Sequence, residues 1–253
     1  MTCSASADRS GAELIIEALK RQSVDTIFGY PGGAIMPLYD CLPNSGIQHI
    51  LVRHEQAAAL AADAYGRVTG EPGVCLATSG PGATNLLTGI ANAFLDSAPM
   101  VAITGQVPTT VMGTDAFQEV DIFGMSLPVV KHSFIVRETS SIPAIFDDAF
   151  TIARSGRPGP VLIDIPKDVS KHRSQTTPVT TLAESHPPTI DRAQLKRCEA
   201  LLQQSNKPLL YLGGGIRIAN AYKTVRQWQT KHSIPAVCTL QALGVIPKSN
   251  PLF

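Results

Sequence analysis

Glu55 is the residue whose setting most invites chemistry. It stands in LVRHEQAAALAADAYGRVTG, residues 51–70, where an apolar run closes at Val52 and the polar corner Arg53-His54-Glu55 leads into an alanine-rich stretch reaching Tyr65. Alanine is the strongest helix former, and Gly66 and Gly70 suit a helix end. The stretch therefore predicts a strand, a corner and a helix, with Glu55 at the junction. In α/β folds ligands bind at this edge, beyond the strand C-termini. Two readings stand side by side here: a carboxylate that meets a ligand, and a helix-start carboxylate favoured by the helix dipole. Three glycine stretches raise the same question. Pro31-Gly32-Gly33 turns the chain where glycines let backbone come close to something. Ser79 to Asn85, SGPGATN, lies between a strand and a helix, an arrangement that binds anions in general. Neither G-x-x-x-x-G-K-[ST] nor G-x-G-x-x-G is present, so a tight βα turn without ligand is the other reading. Gly213-Gly214-Gly215 is a bare glycine run that is weak alone.

The elements that must position these residues follow from periodicity. Ser10 predicts the cap of a helix from Gly11 to Arg21. Strands are expected over 26–30, 47–52, 73–78, 99–104, 133–136 and 161–165, with helices over 35–42, 56–65, from the glycine loop to about 95, and 142–155. Continuous apolar strands alternating with helices predict a doubly wound α/β fold with a parallel sheet. Residues 105–130 read as a long irregular loop. Its apolar side chains (Val111, Met112, Phe117, Ile122, Phe123, Met125) are expected to line a cavity or a subunit interface. From Lys167 the texture turns to serine, threonine and proline, which reads as a linker. A second α/β unit then begins, with a helix over 191–204, a strand over 208–212, a helix over 219–231 and a strand over 236–240. The expected organisation is a flexible arm over 1–9, a first domain over 10–167, a linker over 168–190 and an incomplete second domain over 191–253, since two strands alone cannot build a doubly wound sheet.

Bulk properties exclude several classes. With 253 residues, 44% of them hydrophobic and 16% charged, the chain can bury a substantial core. Twenty-one basic against 20 acidic residues give a formal charge of +1, which argues against nucleic acid as a partner. No apolar run approaches the ~20 residues of a membrane span. The five cysteines are scattered and odd in number, which fits thiols in a reducing compartment and no disulfide frame. The histidines have no metal-ligand spacing, so no metal site is assigned. MTCSASADRSG lacks a signal or transit pattern, and a cytoplasmic location is the default expectation.

Taken together, FGYPGGAIMPLYD (28–40), RHEQAAALAADAYGR (53–67), ATSGPGATNLLTGIANA (77–93), ITGQVPTTVMGTDAFQEVDIFG (103–124), KHSF (131–134) and SGRPGPVLIDIPKDV (155–169) resemble the large, catalytic subunit of acetolactate synthase, a thiamine-diphosphate enzyme. YLGGGIRIANA and PAVCTLQALGVIP also fit. The resemblance runs nearly the whole length. It implies a first domain for the aminopyrimidine half of thiamine diphosphate and the start of a central domain that holds FAD. The magnesium-diphosphate motif of a third domain, GDG followed by an asparagine, does not occur.

By the same resemblance, Glu55 hydrogen-bonds N1′ of the aminopyrimidine and activates the cofactor. Gly32 and Gly33 bring backbone to the cofactor, and Pro81 and Asn85 pack beside it or bond it. Phe117, Gln118 and Lys167 lie on the substrate side, the first two facing a neighbouring subunit's site. Arg157 and Gly213, Gly214 and Gly215 contact FAD. The implied reaction decarboxylates pyruvate and joins the two-carbon unit to a second 2-oxo acid, pyruvate or 2-oxobutyrate, in the biosynthesis of valine, leucine and isoleucine. Thiamine diphosphate, FAD and Mg2+ are the implied cofactors. The implied partners are further copies of the chain, as dimer or tetramer, and a small regulatory subunit. Another thiamine-diphosphate carboligase or 2-oxo acid decarboxylase, and a non-catalytic truncated remnant, are the alternatives. The isolated chain is expected to be inactive, because it carries one half of a cofactor site.

Overall fold

The computed structural model describes residues 8–175 and 189–253, which fall into two compact units divided between Ser185 and His186. In the first, β1 (Arg9–Ser10) leads into α1 (Gly11–Arg21), followed by β2 (Thr26–Gly29), α2 (Met36–Cys41), β3 (Gln48–Leu51) and α3 (Glu55–Thr69). Then come β4 (Gly73–Ala77), α4 (Pro81–Asp96), β5 (Met100–Gln106), α5 (Ile122–Ser126), β6 (His132–Ile135), α6 (Ile142–Arg154), β7 (Pro160–Pro166), α7 (Lys167–Lys171) and β8 (Arg173–Ser174). Six strands form one parallel sheet in the order β3-β2-β4-β5-β7-β6. The fold is the α/β class that the apolar strands predict.

Alternate strand residues feed two separate cores, one on each face of the sheet. Val74, Leu76, Val101, Ile103, Val161 and Ile163 pack with α1, α2 and α6, whose Leu19, Leu38, Phe146 and Phe150 are fully buried. Cys75, Ala77, Met100, Ala102 and Leu162 face α3 and α4 on the other side. That second layer is built from small residues (Ala58, Ala59, Ala62, Ala83, Ala93), so α3 and α4 approach closely. Burial on both faces explains why these strands read as unbroken apolar runs.

Helix ends follow their local chemistry. Ser10 and Glu13 form a capping box on α1, as expected for Ser10. The helix α3 runs past Gly66 and stops at Gly70, whose φ of 80° is left-handed.

Four expectations need correction. The arm does not extend through residue 9: Arg9–Ser10 pairs antiparallel with Arg173–Ser174, while residues 1–7 lie outside the described residues. The linker does not start at 168. Lys167–Lys171 is helical, His172 O accepts from Gly11 N at 3.0 Å, and Val169 O accepts from Thr139 Oγ1 at 2.8 Å. The rest of the expected linker, 176–188, is outside the described residues. The irregular stretch is shorter than expected, chiefly 107–121, because β5 continues through Gln106 and a helix begins at Ile122. Its apolar side chains divide: Ile122 is buried, whereas Phe117 is 87% exposed.

The second unit contains α8 (Arg192–Gln204), β9 (Leu210–Leu212), α9 (Gly215–Ile218), α10 (Tyr222–His232) and β10 (Ala236–Cys238). The fourth correction concerns the helix expected over 219–231, which starts at Tyr222 because Asn220 turns left-handed at φ 51° and separates it from α9. The strands β9 and β10 pair in parallel, and Leu212, Ala236, Ala242, Val245 and Ile246 form a small core. Among the described residues no helix is long and apolar enough to cross a membrane.

Candidate active site

The sheet order reverses between β2 and β4: the chain goes outward to β3 and then returns to the other side of β2. Such a switch point opens a crevice beyond the strand C-termini. Glu55 follows β3, the Gly32 turn follows β2, and Thr78 to Gly82 follow β4, so all three meet there. His54 starts α3 by accepting from Gln56 N on Nδ1 at 3.1 Å, which leaves Glu55 as the first helical residue. Its side chain is buried despite its charge, at 9% exposure.

Asn85, one turn into α4, donates from Nδ2 to Glu55 Oε2 at 2.9 Å. A hydrogen bond to an ionised acceptor is stronger than a neutral one and fixes the carboxylate plane. The other oxygen lies beside Gly82, where an added Cβ would stand 3.2 Å from Oε1. The missing side chain keeps that oxygen accessible to a neighbouring group. Pro81 occupies the first position of α4 and is exposed, where its lack of an N–H costs nothing.

Thr78 was not singled out by sequence, yet it joins the two glycine turns. Its Oγ1 accepts from Ala34 N at 3.1 Å, and its side chain fills the space a Cβ on Gly32 would need, 2.5 Å away. A hydroxyl ending an apolar strand just before a glycine loop was the available signal. Gly33 faces open space. Tyr39 lies behind the crevice, its hydroxyl 3.2 Å from His49 Nε2. Burial, and then the Glu55 charge, push its phenol above the usual range.

Phe117 and Gln118 reach the same edge. Gln118 has φ 58°, and its backbone presses on Gly80, where a Cβ would lie 2.6 Å from Gln118 O. Gly80 itself has φ 59°, so it is glycine for two reasons. Lys167 opens α7 directly after β7, half-buried at the same edge of the sheet. Arg157 lies apart, between α6 and β7 at the opposite edge. Its guanidinium holds the C-terminus of α4, donating to Ser97 Oγ at 2.5 Å, Leu95 O at 2.8 Å and Phe94 O at 3.4 Å. Gly213 to Gly215 are in the second unit; Gly213 and Gly215 face open space and Gly214 lies against Gln241. Among the described residues no group of three or more His, Cys, Asp or Glu is arranged to hold a metal ion.

A second polar cluster escaped the sequence reading. Asp164 on β7 is 1% exposed and accepts from Thr104 Oγ1 at 2.7 Å and from Gln106 Nε2 at 3.0 Å. Burial, with Asp121 adding repulsion, raises its carboxyl to about 7 against the bonds from Thr104 and Gln106. The signal was present in VLIDI and in PMVAITGQ: polar residues inside otherwise apolar strands.

A buried carboxylate at a switch point, one oxygen held by an amide and the other kept clear, suits a ligand with a ring nitrogen that shares a proton. Residues 9–125 match the family described as Thiamine pyrophosphate enzyme, N-terminal TPP binding domain, and residues 195–253 match Thiamine pyrophosphate enzyme, central domain. Two stretches of the chain thus match the N-terminal and central domain families of thiamine pyrophosphate enzymes.

More narrowly, it is a homologue of acetolactate synthase large subunits. It is 50% identical over 244 residues to the acetolactate synthase isozyme 2 large subunit of Escherichia coli (strain K12), covering 96% of this chain and 44% of that protein. It is 51% identical over 254 residues to the acetolactate synthase large subunit of Parasynechococcus marenigrum (strain WH8102), covering 96% and 41%. Against the E. coli isozyme 1 large subunit the identity is 47% over 245 residues, covering 96% and 43%. The chain spans less than half the length of these curated relatives.

Proposed function

We propose that this chain contributes the aminopyrimidine side of a thiamine-diphosphate site that converts pyruvate and a second 2-oxo acid to 2-acetolactate or 2-aceto-2-hydroxybutyrate. The observation that carries the reading is the buried Glu55 carboxylate, oriented by Asn85 and left clear beside Gly82. The residues fit the cofactor: a shielded anionic acceptor matches a ring nitrogen that gains a proton, and the Gly32 to Ala34 turn leaves backbone open beside it.

Thiamine diphosphate, when bound, supplies the carbon nucleophile and the electron sink that 2-oxo acid decarboxylation requires. Glu55 would accept a hydrogen bond from the ring nitrogen on Oε1. The shielded setting strengthens that interaction relative to water. Asn85 keeps Oε2 occupied, so Oε1 is the oxygen left to accept. Thr78 fixes the Gly32 turn against the Gly80 turn. Phe117 and Gln118 cover the substrate side, and Lys167 supplies a cation at the same edge for a 2-oxo acid carboxylate.

The proposal extends to Mg2+ and FAD. Mg2+ would be bound by a part of the enzyme beyond the residues described here. FAD contacts are proposed separately for the Gly213 to Gly215 backbone of the second unit and for the exposed Arg157 of the first. Further copies of the chain and a small regulatory subunit complete the proposed assembly, in the cytoplasm.

The test combines the chain with a polypeptide that supplies the diphosphate-binding half and measures acetolactate from pyruvate. Glu55→Gln should lower the rate by about 100-fold or more, the usual scale for a positioned proton-transfer group. Wild-type rates in that variant would remove Glu55 from the chemistry.

A further inference from the structure

We propose that Gln106 and Asp164 are positioning residues for the candidate site: together they latch the 107–121 segment onto the sheet and so hold the Gln118 backbone over the Gly80 turn. The inference rests on the reading of that edge as the substrate side.

The latch is continuous from core to site. Thr104 and Asp164 face one another across β5 and β7. Asp164 accepts from both Thr104 and Gln106. Gln106 uses its whole carboxamide: Nε2 donates to Asp164 Oδ2 and to Val120 O, each at 3.0 Å, and Oε1 accepts from Val107 N at 2.8 Å. One side chain thereby grips both ends of the segment, at Val107 where it leaves β5 and at Val120 where it returns.

Inside the segment, Glu119 accepts from Gly113 N and from Ala116 N, the latter at 2.9 Å. These bonds hold its carboxyl below the usual range and close 113–119 into a compact turn. Gln118 is the part of that turn that presses on Gly80. A cavity of about 200 Å³ lies beneath, lined by Met112, Phe123 and Ile135 together with Glu119, Asp121 and Asp164. The segment is tied by polar bonds from Gln106 at its two ends and also at Thr109, whose N and Oγ1 donate to the Asp168 carboxylate on α7. The Gln106 bonds set the position of the two ends.

The experiment is amide hydrogen exchange on the 253-residue chain without cofactor. In Gln106→Met, peptides covering 107–121 should exchange about tenfold faster, the scale of one or two lost net hydrogen bonds. Peptides from β5 and β7 should be unchanged. Asp164→Asn keeps the shape and an acceptor for Gln106, and should retain wild-type protection of the segment. Unchanged exchange of 107–121 in Gln106→Met would overturn the latch, as would a rise spread evenly over β5, β7 and the segment. If Gln106→Met does not fold, Gln106→Glu keeps the acceptor for Val107 N and removes both donors: faster exchange confined to 107–121 supports the proposal and unchanged exchange overturns it. None of these readings depends on thiamine diphosphate. A Glu55→Gln variant with full activity would therefore sink the proposed function and leave the latch standing.

Discussion

A carboxylate is read differently by its sequence and by its surroundings, and the two acids at the centre of this molecule show why. Glu55 was legible because it interrupts a strand-to-helix junction, and its neighbours placed it at a ligand-binding edge. Asp164 was missed because one acid in VLIDI is invisible until its partners Thr104 and Gln106, some 60 residues earlier, arrive beside it. Its carboxyl is raised from 3.8 to about 7, so the folded state binds its proton more tightly than the unfolded chain. Stability from this group is therefore full at low pH and is lost as pH rises through that window. Comparing melting temperatures of wild type and Asp164→Asn from pH 4 to pH 8 should show the wild type falling relative to the variant up to about pH 7. A constant difference would show that Asp164 does not titrate there. For Glu55, Asn85→Asp replaces a donor by a second acid at hydrogen-bond distance. One of the two must then keep a proton in the folded state. The variant should lose about 1–3 kcal/mol, and by the same sign rule its deficit in denaturant unfolding should be larger at pH 8 than at pH 5.

Elements were legible where pattern is local. All six strands of the main sheet and helices α1 to α4 and α6 follow from apolar runs, caps and glycine stops. What stayed hidden was set by contacts between distant parts. The alanine content of α3 reads as helix propensity, but its structural use is to let α4 come close. Gly89 on α4 is the tightest part of that approach: a Cβ there would lie 2.5 Å from Ala59 Cβ and 2.9 Å from the Ala59 carbonyl carbon. Gly89→Ala should cost about 1–3 kcal/mol as an overpacked contact, although alanine is the better helix former. Because α3 carries Glu55 and α4 carries Asn85, the change should also weaken the Glu55–Asn85 hydrogen bond. Denaturant unfolding gives the first effect, and a shift of the Asn85 side-chain amide resonances gives the second. A variant as stable as wild type would mean that the helices separate freely.

At the scale of the molecule, apolar strands alternating with helices identified a parallel α/β chain, and the chemistry of a serine- and proline-rich stretch suggested where the first unit ends. That boundary fell short because α7 and β8 have no apolar periodicity; they are held by Gly11, Thr139 and the β1 strand, which a local reading cannot see. A chain ending at Lys167 should therefore melt several degrees below one ending at Ser185, about 2–4 °C for each kcal/mol lost by a domain of roughly this size. Equal melting temperatures would show that these contacts add nothing. The β1–β8 pairing has one more consequence. Arg9 lies opposite Ser174 and Ser10 opposite Arg173, so the strand that enters the first unit and the strand that leaves it run side by side. A fold whose ends are neighbours tolerates being threaded into a loop of another protein, or having its ends joined and a new pair opened elsewhere. The first unit has the geometry of a portable cassette, able to be carried as a guest without stretching its host.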